Sequence, residues 1–263
     1  MRKLSMREIK EIELKILIEF DRLCKENNLT YYLAFGTLLG AARHGGFIPW
    51  DDDIDVMMPR DDYERLLVGF NEWSQSDCYE LKVYSDGYSI YPFAKMVNNK
   101  TVATENFTRS EFKIGVWMDI FPLDNVNKDD RELFKKEKRV SLLRSFAIAD
   151  PSVGSSFLVK LVKKIVCPFA RALNANKLAR RMDEICKKRR NQETEYFAVV
   201  SDVNPKWIFP KELFGLSYLS FEGIEFPVPS RFDEWLTIQY GDWNALPPEE
   251  EREIHMQEAY ALD

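Results

Sequence analysis

The sequence is poor in the side chains that bind zinc. It contains only four cysteines and two histidines, and none of the cysteines stand in a C-x-x-C pair. Because zinc sites are built from Cys and His ligands at short, regular spacings, a zinc site is not predicted. Isolated cysteines are typical of reduced, mostly buried thiols, and we expect a cytosolic protein.

Long hydrophobic runs and glycine-rich nucleotide motifs are also absent. No apolar run reaches the roughly 20 residues of a membrane-spanning helix, and the charged N-terminus lacks the apolar stretch of a signal peptide. Neither G-x-x-x-x-G-K-[ST] nor G-x-G-x-x-G occurs. These absences argue against a P-loop fold and a dinucleotide-binding fold.

The composition is that of a folded protein with an acidic body and one basic segment. Hydrophobic residues make up 45% of the 263 residues, and the net charge of −6 argues against nucleic acid as a partner. Residues 157–190 contain eleven Lys and Arg against two acidic residues. Their first part interleaves lysines with apolar residues. This pattern is typical of a basic helix on an anionic membrane surface, or of a solvated helical face with a core-facing stripe.

The spacing of apolar residues predicts an α+β fold with a helical subdomain. Helices are predicted over 5–27, with a capping box at its start, over most of 128–190 with a break at 150–151, and over 230–240. The predicted strands of the first half are Tyr31–Phe35, Ile54–Met58, Tyr79–Tyr84, Tyr91–Val97 and Gly115–Phe121, the last closed by Pro122.

The most informative stretch is W-D-D-D-I-D-V-M-M at residues 50–58. On a strand, Ile54, Val56 and Met58 form one apolar face, and Asp53 and Asp55 share the other. Two carboxylates this close disfavour each other's ionised form unless a divalent cation lies between them. Such a pair suits Mg²⁺ that also binds substrate phosphates.

A third carboxylate, Asp119, interrupts the apolar strand predicted over 115–121. A lone charge there is costly unless it is paired, for instance with an Arg, or coordinates a metal. Together with Asp53 and Asp55 it could hold one or two Mg²⁺ ions. For residues 51–53 alone a solvated loop is an equal alternative, whereas an EF-hand loop is excluded because Val56 stands where it needs Gly.

Phosphate binding is predicted at a turn that precedes these carboxylates. Gly36 and Thr37 lie between a predicted strand and a short predicted helix, whose free N–H groups would point at an approaching anion. Arg43, His44 and Lys95 are candidate cationic partners for phosphate oxygens.

Residues 34–55, A-F-G-T-L-L-G-A-A-R-H-G-G-F-I-P-W-D-D-D-I-D, resemble the signature of the LicD family nearly end to end. The segment Y-G-D-W at 240–243, with P-P at 247–248 and the residues from Arg252 to His255, resembles the family's C-terminal signature. The two matches bracket most of the chain.

This resemblance implies a nucleotidyltransferase fold, similar to that of DNA polymerase beta-like enzymes and fukutin-related proteins. Gly36-Thr37, Asp53-x-Asp55 and Asp119 fit the turn, the D-x-D strand and the third acidic residue of that fold, and His255 could approach the site. The implied organisation is a catalytic core over 1–125, a helical basic segment over 126–195 that meets a membrane or solvent, and a C-terminal part over 196–263 that completes the core or the acceptor site.

The resemblance also implies a reaction. Family members transfer phosphocholine from CDP-choline to a hydroxyl of a cell-surface glycopolymer precursor, of the teichoic acid or lipopolysaccharide type, which suits an enzyme at the inner face of the plasma membrane. Trp117, on the strand face of Asp119, is one candidate for the aromatic contact that choline needs. The alternatives are a nucleotidyltransferase using ATP or CTP, a transferase for another CDP-alcohol, a glycosyltransferase using a nucleotide sugar, and a non-catalytic binding module.

Overall fold

The computed structural model describes residues 1–86, 89–105, 108–151, 157–201, 207–248 and 256–262. Its helices are α1 (Met6–Glu26), α2 (Phe35–His44), α3 (Arg60–Trp73), α4 (Arg131–Ile148), α5 (Phe157–Arg171), α6 (Ala175–Cys186) and α7 (Phe232–Tyr240). Its strands are β1 (Arg2–Lys3), β2 (Tyr32–Leu33), β3 (Asp55–Pro59), β4 (Tyr79–Lys82), β5 (Ala94–Asn98), β6 (Thr101–Glu105), β7 (Trp117–Val126), β8 (Tyr196–Ala198), β9 (Phe209–Pro210), β10 (Leu216–Phe221), β11 (Ile224–Pro229) and β12 (Met256–Ala261). The α+β prediction is confirmed.

The largest sheet has β3 and β7 at its centre. Its strand order is β2-β3-β7-β5-β4, and β8 pairs with the last part of β7 and with β9. β3 and β7 run parallel, whereas the other pairs of this sheet are antiparallel. Helices α1 and α3 pack on the sheet, and the capping box predicted at Ser5 opens α1. The centre of this mixed sheet is therefore a rigid platform for the acidic residues that it carries.

Several predicted strand boundaries differ from the structure, and two of the differences have a clear physical reason. Phe35 belongs to α2 and not to the preceding strand, because the chain turns sharply after Ala34. β7 continues through Pro122 to Val126. β5 pairs with residues 117–120 and β8 with residues 124–126, so Pro122 falls between them, where its missing N–H costs neither of these two ladders a hydrogen bond.

The helical region predicted over 128–190 is confirmed as α4, α5 and α6. A buried ion cluster attaches it to the sheet. Arg60 of α3 donates two hydrogen bonds to Asp124 of β7, at 2.7 and 2.8 Å, and one to Asp183 of α6 at 2.7 Å. Bidentate pairing of this kind is directional, so it fixes how the helices sit on the core.

The C-terminal part adds strands to both larger sheets, and its β10–β11 hairpin and α7 pack into the main core. β8 and β9 extend the central sheet, and β12 pairs with β6 and β1 in a second, three-stranded sheet. The sequence pattern predicts neither β6 nor β12, because neither contains a continuous apolar run, and each is held as a strand by its partners. The division at residues 125 and 195 stays a prediction.

All four cysteines are free thiols, and all but Cys78 are buried, as expected. Among the described residues, no helix is both long enough and apolar enough to cross a membrane.

Candidate active site

Asp55 and Asp119 lie side by side at the centre of the main sheet. They are opposite each other in the register of the parallel pair β3–β7, and neighbouring strands are about 4.8 Å apart. Both residues are buried, and Asp53, just before β3, is half-buried. All three line a cavity of about 970 Å³. The structure therefore brings together the three carboxylates that the sequence pattern predicts to form one site.

The cluster is electrostatically strained. Burial raises the pKa of Asp55 well above its usual range, and the charges of Asp53 and Asp119 raise it further, whereas Lys95 lowers it. Carboxylates so close together in a poorly solvated site are stabilised by any cation that binds between them. The site is thus suited to a cationic ligand or to a metal-bound one.

Residues 51–53 form a loop before β3, but this loop is not fully solvated. Asp52 is fully buried, and Asp51 and Asp53 line the cavity. Asp51 approaches Gly36 so closely that a Cβ atom on Gly36 would lie 2.5 Å from the Asp51 Oδ2 atom. The Asp51 carboxylate thus occupies the space that a side chain at position 36 would fill, which is why glycine fits there.

The turn that leads into α2 has a strained backbone. Phe35 adopts a φ of 42°, in the left-handed region that bulky residues rarely enter. This conformation places Phe35 and Gly36 on the cavity wall. Thr37 is buried, and its hydroxyl accepts a hydrogen bond from the N–H of Asp55 at 2.8 Å. Thr37 thus holds the start of β3 against α2, and it is Gly36 that faces the cavity.

Lys95 forms an ion pair with Asp119 inside the core. Its ammonium lies 2.7 Å from Oδ1 and 3.0 Å from Oδ2 of Asp119, and it is 4.3 Å from the ring centroid of Tyr91 and 4.6 Å from that of Trp117. Lys95 is buried and does not form part of the cavity wall. The cationic partner of Asp119 is therefore this lysine and not an arginine, and in this arrangement Lys95 does not reach a phosphate in the cavity.

Arg43 joins the two segments that carry the family resemblance. Its Nη1 donates to the carbonyls of Trp243, at 2.9 Å, and Ala245, at 3.1 Å, while its side chain lines the cavity. His44 does not line the cavity, and its ring lies 6.4 Å from that of Trp50. Burial and the neighbouring Arg43 lower the pKa of His44. His255 lies outside the described residues.

Glu13 of α1 is an acidic residue near the site that the sequence analysis does not single out. It is fully buried, and neither carboxylate oxygen has a hydrogen-bond partner among the described residues. Burial raises its pKa well above the usual range, and the charges of Asp53, Asp52 and Asp51 raise it further. The signal for it is present in the sequence, because position 13 lies on the apolar stripe of the helix, four residues after Ile9.

Arg144 of α4 is a second residue of this kind. Together with Ser141, it extends the cavity wall onto the helical region. Burial lowers the pKa of Arg144. No sequence signal distinguishes it, because it is one of many basic residues in a helical stretch.

Aromatic rings form much of the remaining wall. Phe35 and Phe121 pack at 5.1 Å, Phe93 and Phe121 at 4.3 Å, and Phe35 and Trp207 at 6.2 Å between ring centroids. Trp117, the candidate choline contact, lies in a separate part of the core and not on the cavity wall. The aromatic surface available to a ligand therefore comes from other positions than the one predicted.

The donor set suits Mg²⁺ in its chemistry. Among the described residues, no group of three or more His, Cys, Asp and Glu side chains is arranged to hold a metal ion. Mg²⁺ is nevertheless commonly bound by one or two carboxylates, with substrate phosphates and water completing its shell. The register pair Asp55–Asp119 fits that requirement. A ligand set of all three aspartates stays a prediction, and in this structure Asp119 is paired with Lys95.

The sequence is similar to known proteins both over the residues that form the site and over its whole length. A family model described as the nucleotidyltransferase domain of LicD, FKTN and FKRP matches residues 28–147, which include the turn, the three aspartates and Arg144. The lipopolysaccharide cholinephosphotransferase LicD of Haemophilus influenzae is 34% identical over 279 residues, which cover 100% of both chains.

The chain belongs to the LicD family. Because the similarity to the Haemophilus protein spans both chains completely, it is not confined to the signature segments. Two uncharacterised Rickettsia proteins show local similarity to this LicD-family chain. The Rickettsia prowazekii protein is 35% identical over 25% of this chain and 26% of its own length. The Rickettsia typhi protein is 36% identical over 22% of this chain and 20% of its own length. The chain spans about a quarter or less of their length. They therefore support a shared local segment only.

Proposed function

We propose that this LicD-family protein transfers phosphocholine from CDP-choline to a hydroxyl of a lipopolysaccharide-type glycolipid, with Mg²⁺ as cofactor. The observation that carries the proposal is one cavity that is lined both by a cluster of aspartates and by several aromatic rings. A diphosphate with a bound cation suits the first, and a trimethylammonium group suits the second. The full-length relationship to a lipopolysaccharide cholinephosphotransferase supports the same reaction.

The acidic end would bind the donor diphosphate. Asp55 and Asp119, with Asp53 beside them, would hold Mg²⁺, which when bound neutralises charge on the phosphates. Gly36 lines the cavity at the first turn of α2, where backbone N–H groups favour a phosphate oxygen. Arg43 adds positive charge to the cavity wall and anchors the segment around Trp243.

The transfer is an in-line displacement at the phosphorus that carries choline. A new bond forms between the acceptor oxygen and this phosphorus, the bond from the phosphorus to the bridging oxygen breaks, and CMP leaves with that oxygen. Asp53 is the most exposed of the three carboxylates, so its carboxylate is the one that an incoming hydroxyl reaches and that accepts its proton. Positioning and electrostatic stabilisation account for most of the acceleration in reactions of this type.

The choline group would lie against the aromatic wall. Phe35, Phe121 and Trp207 line the cavity, and a quaternary ammonium gains about 0.5–2 kcal/mol over the face of an aromatic ring. An uncharged CDP-alcohol would gain no such attraction. Replacing Trp207 by Leu should therefore raise the KM for CDP-choline while leaving the affinity for CMP unchanged.

The acceptor side would meet an anionic membrane surface through α5. An amphipathic helix of a soluble protein normally turns its apolar stripe inward. In α5, the stripe at positions 161, 165 and 169 faces outward, and Ile165 and Phe169 are 59% and 78% exposed. Lys160, Lys164 and Arg171 are exposed along the neighbouring line of the helix, and α5 contains no acidic residue. Apolar insertion flanked by cations is how such helices bind anionic lipid.

A vesicle experiment tests this surface. Replacing Ile165 and Phe169 by Asp should abolish co-sedimentation with phosphatidylglycerol vesicles at low salt. Replacing Val68 by Asp is the matched control, since Val68 is an exposed apolar residue on α3. Binding that survives the double substitution, or that is equal on phosphatidylcholine vesicles, contradicts membrane contact through α5.

A donor panel tests the reaction itself. Purified protein with Mg²⁺ is offered CDP-choline, CDP-ribitol, CTP, ATP and UDP-glucose, and binding is followed by thermal shift with and without EDTA. The expected result is a Mg²⁺-dependent stabilisation that is largest for CDP-choline, followed by release of CMP when lipopolysaccharide is added. Preference for a triphosphate or a nucleotide sugar would refute the proposed donor.

A further inference from the structure

Arg144 is a half-buried cation at the wall of the cavity. Its Nε is buried without a hydrogen-bond partner, and its Nη1 donates to the carbonyl of Ile90 at 3.1 Å. In the described part of the chain it forms no direct ion pair with a carboxylate, and only the more distant charges of Glu105 and Glu137 favour its charged form. A guanidinium in such surroundings is costly unless an anion compensates its charge.

The position of Arg144 relates it to the acidic end of the cavity. Its guanidinium carbon lies 5.4 Å from the ring centroid of Tyr91, and the ammonium of Lys95, which pairs with Asp119, lies 4.3 Å from the same centroid. Tyr91, Asp119 and Arg144 all line the cavity, as does Ser141, three residues before Arg144 on α4. An anion between α4 and the aspartates would therefore meet a guanidinium and a hydroxyl on its α4 side.

We propose that Arg144 is a phosphate-binding residue, which α4 contributes to the cavity of the nucleotidyltransferase core. Its guanidinium binds phosphate oxygens through its unused N–H groups, the geometry for which arginine is best suited. The site deepens the proposed function, because either the donor diphosphate or a phosphate on the glycolipid acceptor supplies this chemistry. Because α4 also supports α5, a ligand held here would bridge the sheet and the helical region.

Inorganic pyrophosphate is the probe, so the effect of each substitution on phosphate affinity is measured without assuming which nucleotide is the donor. Arg144→Gln removes the charge and keeps an N–H donor for the Ile90 carbonyl, whereas Arg144→Lys keeps the charge. Arg139→Gln is the matched control, since Arg139 is exposed on the same helix. Affinity is measured by calorimetry with Mg²⁺, in the absence and presence of saturating CDP-choline.

The expected result is a loss of affinity for pyrophosphate of about 10- to 100-fold in Arg144→Gln, since hydrogen bonds to charged groups contribute that much. Arg144→Lys should recover part of it, and Arg139→Gln should behave as the wild type. If CDP-choline competes with pyrophosphate, the phosphate belongs to the donor. If CDP-choline and pyrophosphate bind at the same time, and Arg144→Gln still lowers the affinity for pyrophosphate, the phosphate that Arg144 binds belongs to the acceptor.

Equal pyrophosphate affinity in Arg144→Gln and the wild type, in folded proteins with matching thermal midpoints, would overturn the assignment. Should Arg144→Gln not fold, Arg144→Lys decides, because a Lys variant that binds pyrophosphate no more weakly than the wild type shows that the guanidinium fork is not used. A wild-type protein that binds pyrophosphate through Arg144 but transfers no phosphocholine would refute the proposed reaction and leave the phosphate site standing.

Discussion

Replacing Glu13 by Gln should stabilise the protein, and by more as the pH rises. Glu13 is fully buried on α1, and neither of its carboxylate oxygens has a hydrogen-bond partner in the described residues. Its surroundings add the charges of Asp53 and Asp52. Ionised Glu13 is therefore unfavourable in the folded protein, whereas the amide of Gln carries no charge at any pH.

The sign and size of the effect follow from proton linkage. The pKa of Glu13 in the folded protein is raised well above the ordinary value of 4.5. The stability that protonated Glu13 provides is therefore fully present at pH values below the pKa of the unfolded state. It is lost as the pH rises through the pKa of the folded state. Within that window the wild type loses about 1.4 kcal/mol of unfolding free energy per pH unit relative to Gln. Between pH 5 and 7 the advantage of Glu13→Gln should therefore grow by up to about 3 kcal/mol.

The assay is urea unfolding of both proteins at pH 5, 6, 7 and 8, with EDTA present so that no divalent ion screens the cluster. The other carboxylates are common to both proteins, so the difference between the two curves isolates position 13. Glu11→Gln is the control, because Glu11 is an exposed residue of the same helix that pairs with Arg7. An advantage of Glu13→Gln that is constant with pH, or that falls as the pH rises, would refute the reasoning.

The other predictions concern the walls of the site. Asp53→Ala should lower kcat by roughly 10²-fold or more without lowering the thermal midpoint, because it removes a charge that repels Asp55. Near-normal turnover would remove Asp53 from the site. Lys95→Met should destabilise the fold by about 3–5 kcal/mol, because it leaves the charge of the buried Asp119 uncompensated. Chemical denaturation measures this loss, and adding Asp119→Asn should restore part of it. Gly36→Ala should fold but lose activity, because its methyl group displaces the Asp51 carboxylate, an end of a side chain that can move; a Gly36→Ala variant with wild-type kcat/KM contradicts that account.

Several features could be read from the sequence because they depend on neighbours along the chain. The capping box at Ser5 and the apolar stripe of α1 are set by residues three and four apart, and both are confirmed. The acidic strand could be predicted because Asp53 and Asp55 alternate with apolar residues that reach the core. The LicD signature then related this strand to the preceding Gly-Thr turn.

Other features depend on residues that are distant in sequence. Lys95 and Thr37 were predicted to bind phosphate, but the pairing of β5 with β7 places Lys95 behind Asp119, and the packing of α2 on β3 turns the Thr37 hydroxyl to the Asp55 N–H. Pro122 stays within β7 because of which strands pair beside it. Residues 256–261 form β12 through pairing with β1 on one side and β6 on the other.

The sequence by itself determined the acidic residues, their strand and the family of this protein, since residue type and short spacing suffice to recognise them. Only the tertiary structure decided which side chains share the cavity with them. Parallel pairing of β3 with β7 put Asp119 opposite Asp55, and the packing of the helical region brought Arg144 to the same wall. Burial and electrostatic interaction depend on distances through space, and no local pattern records those distances.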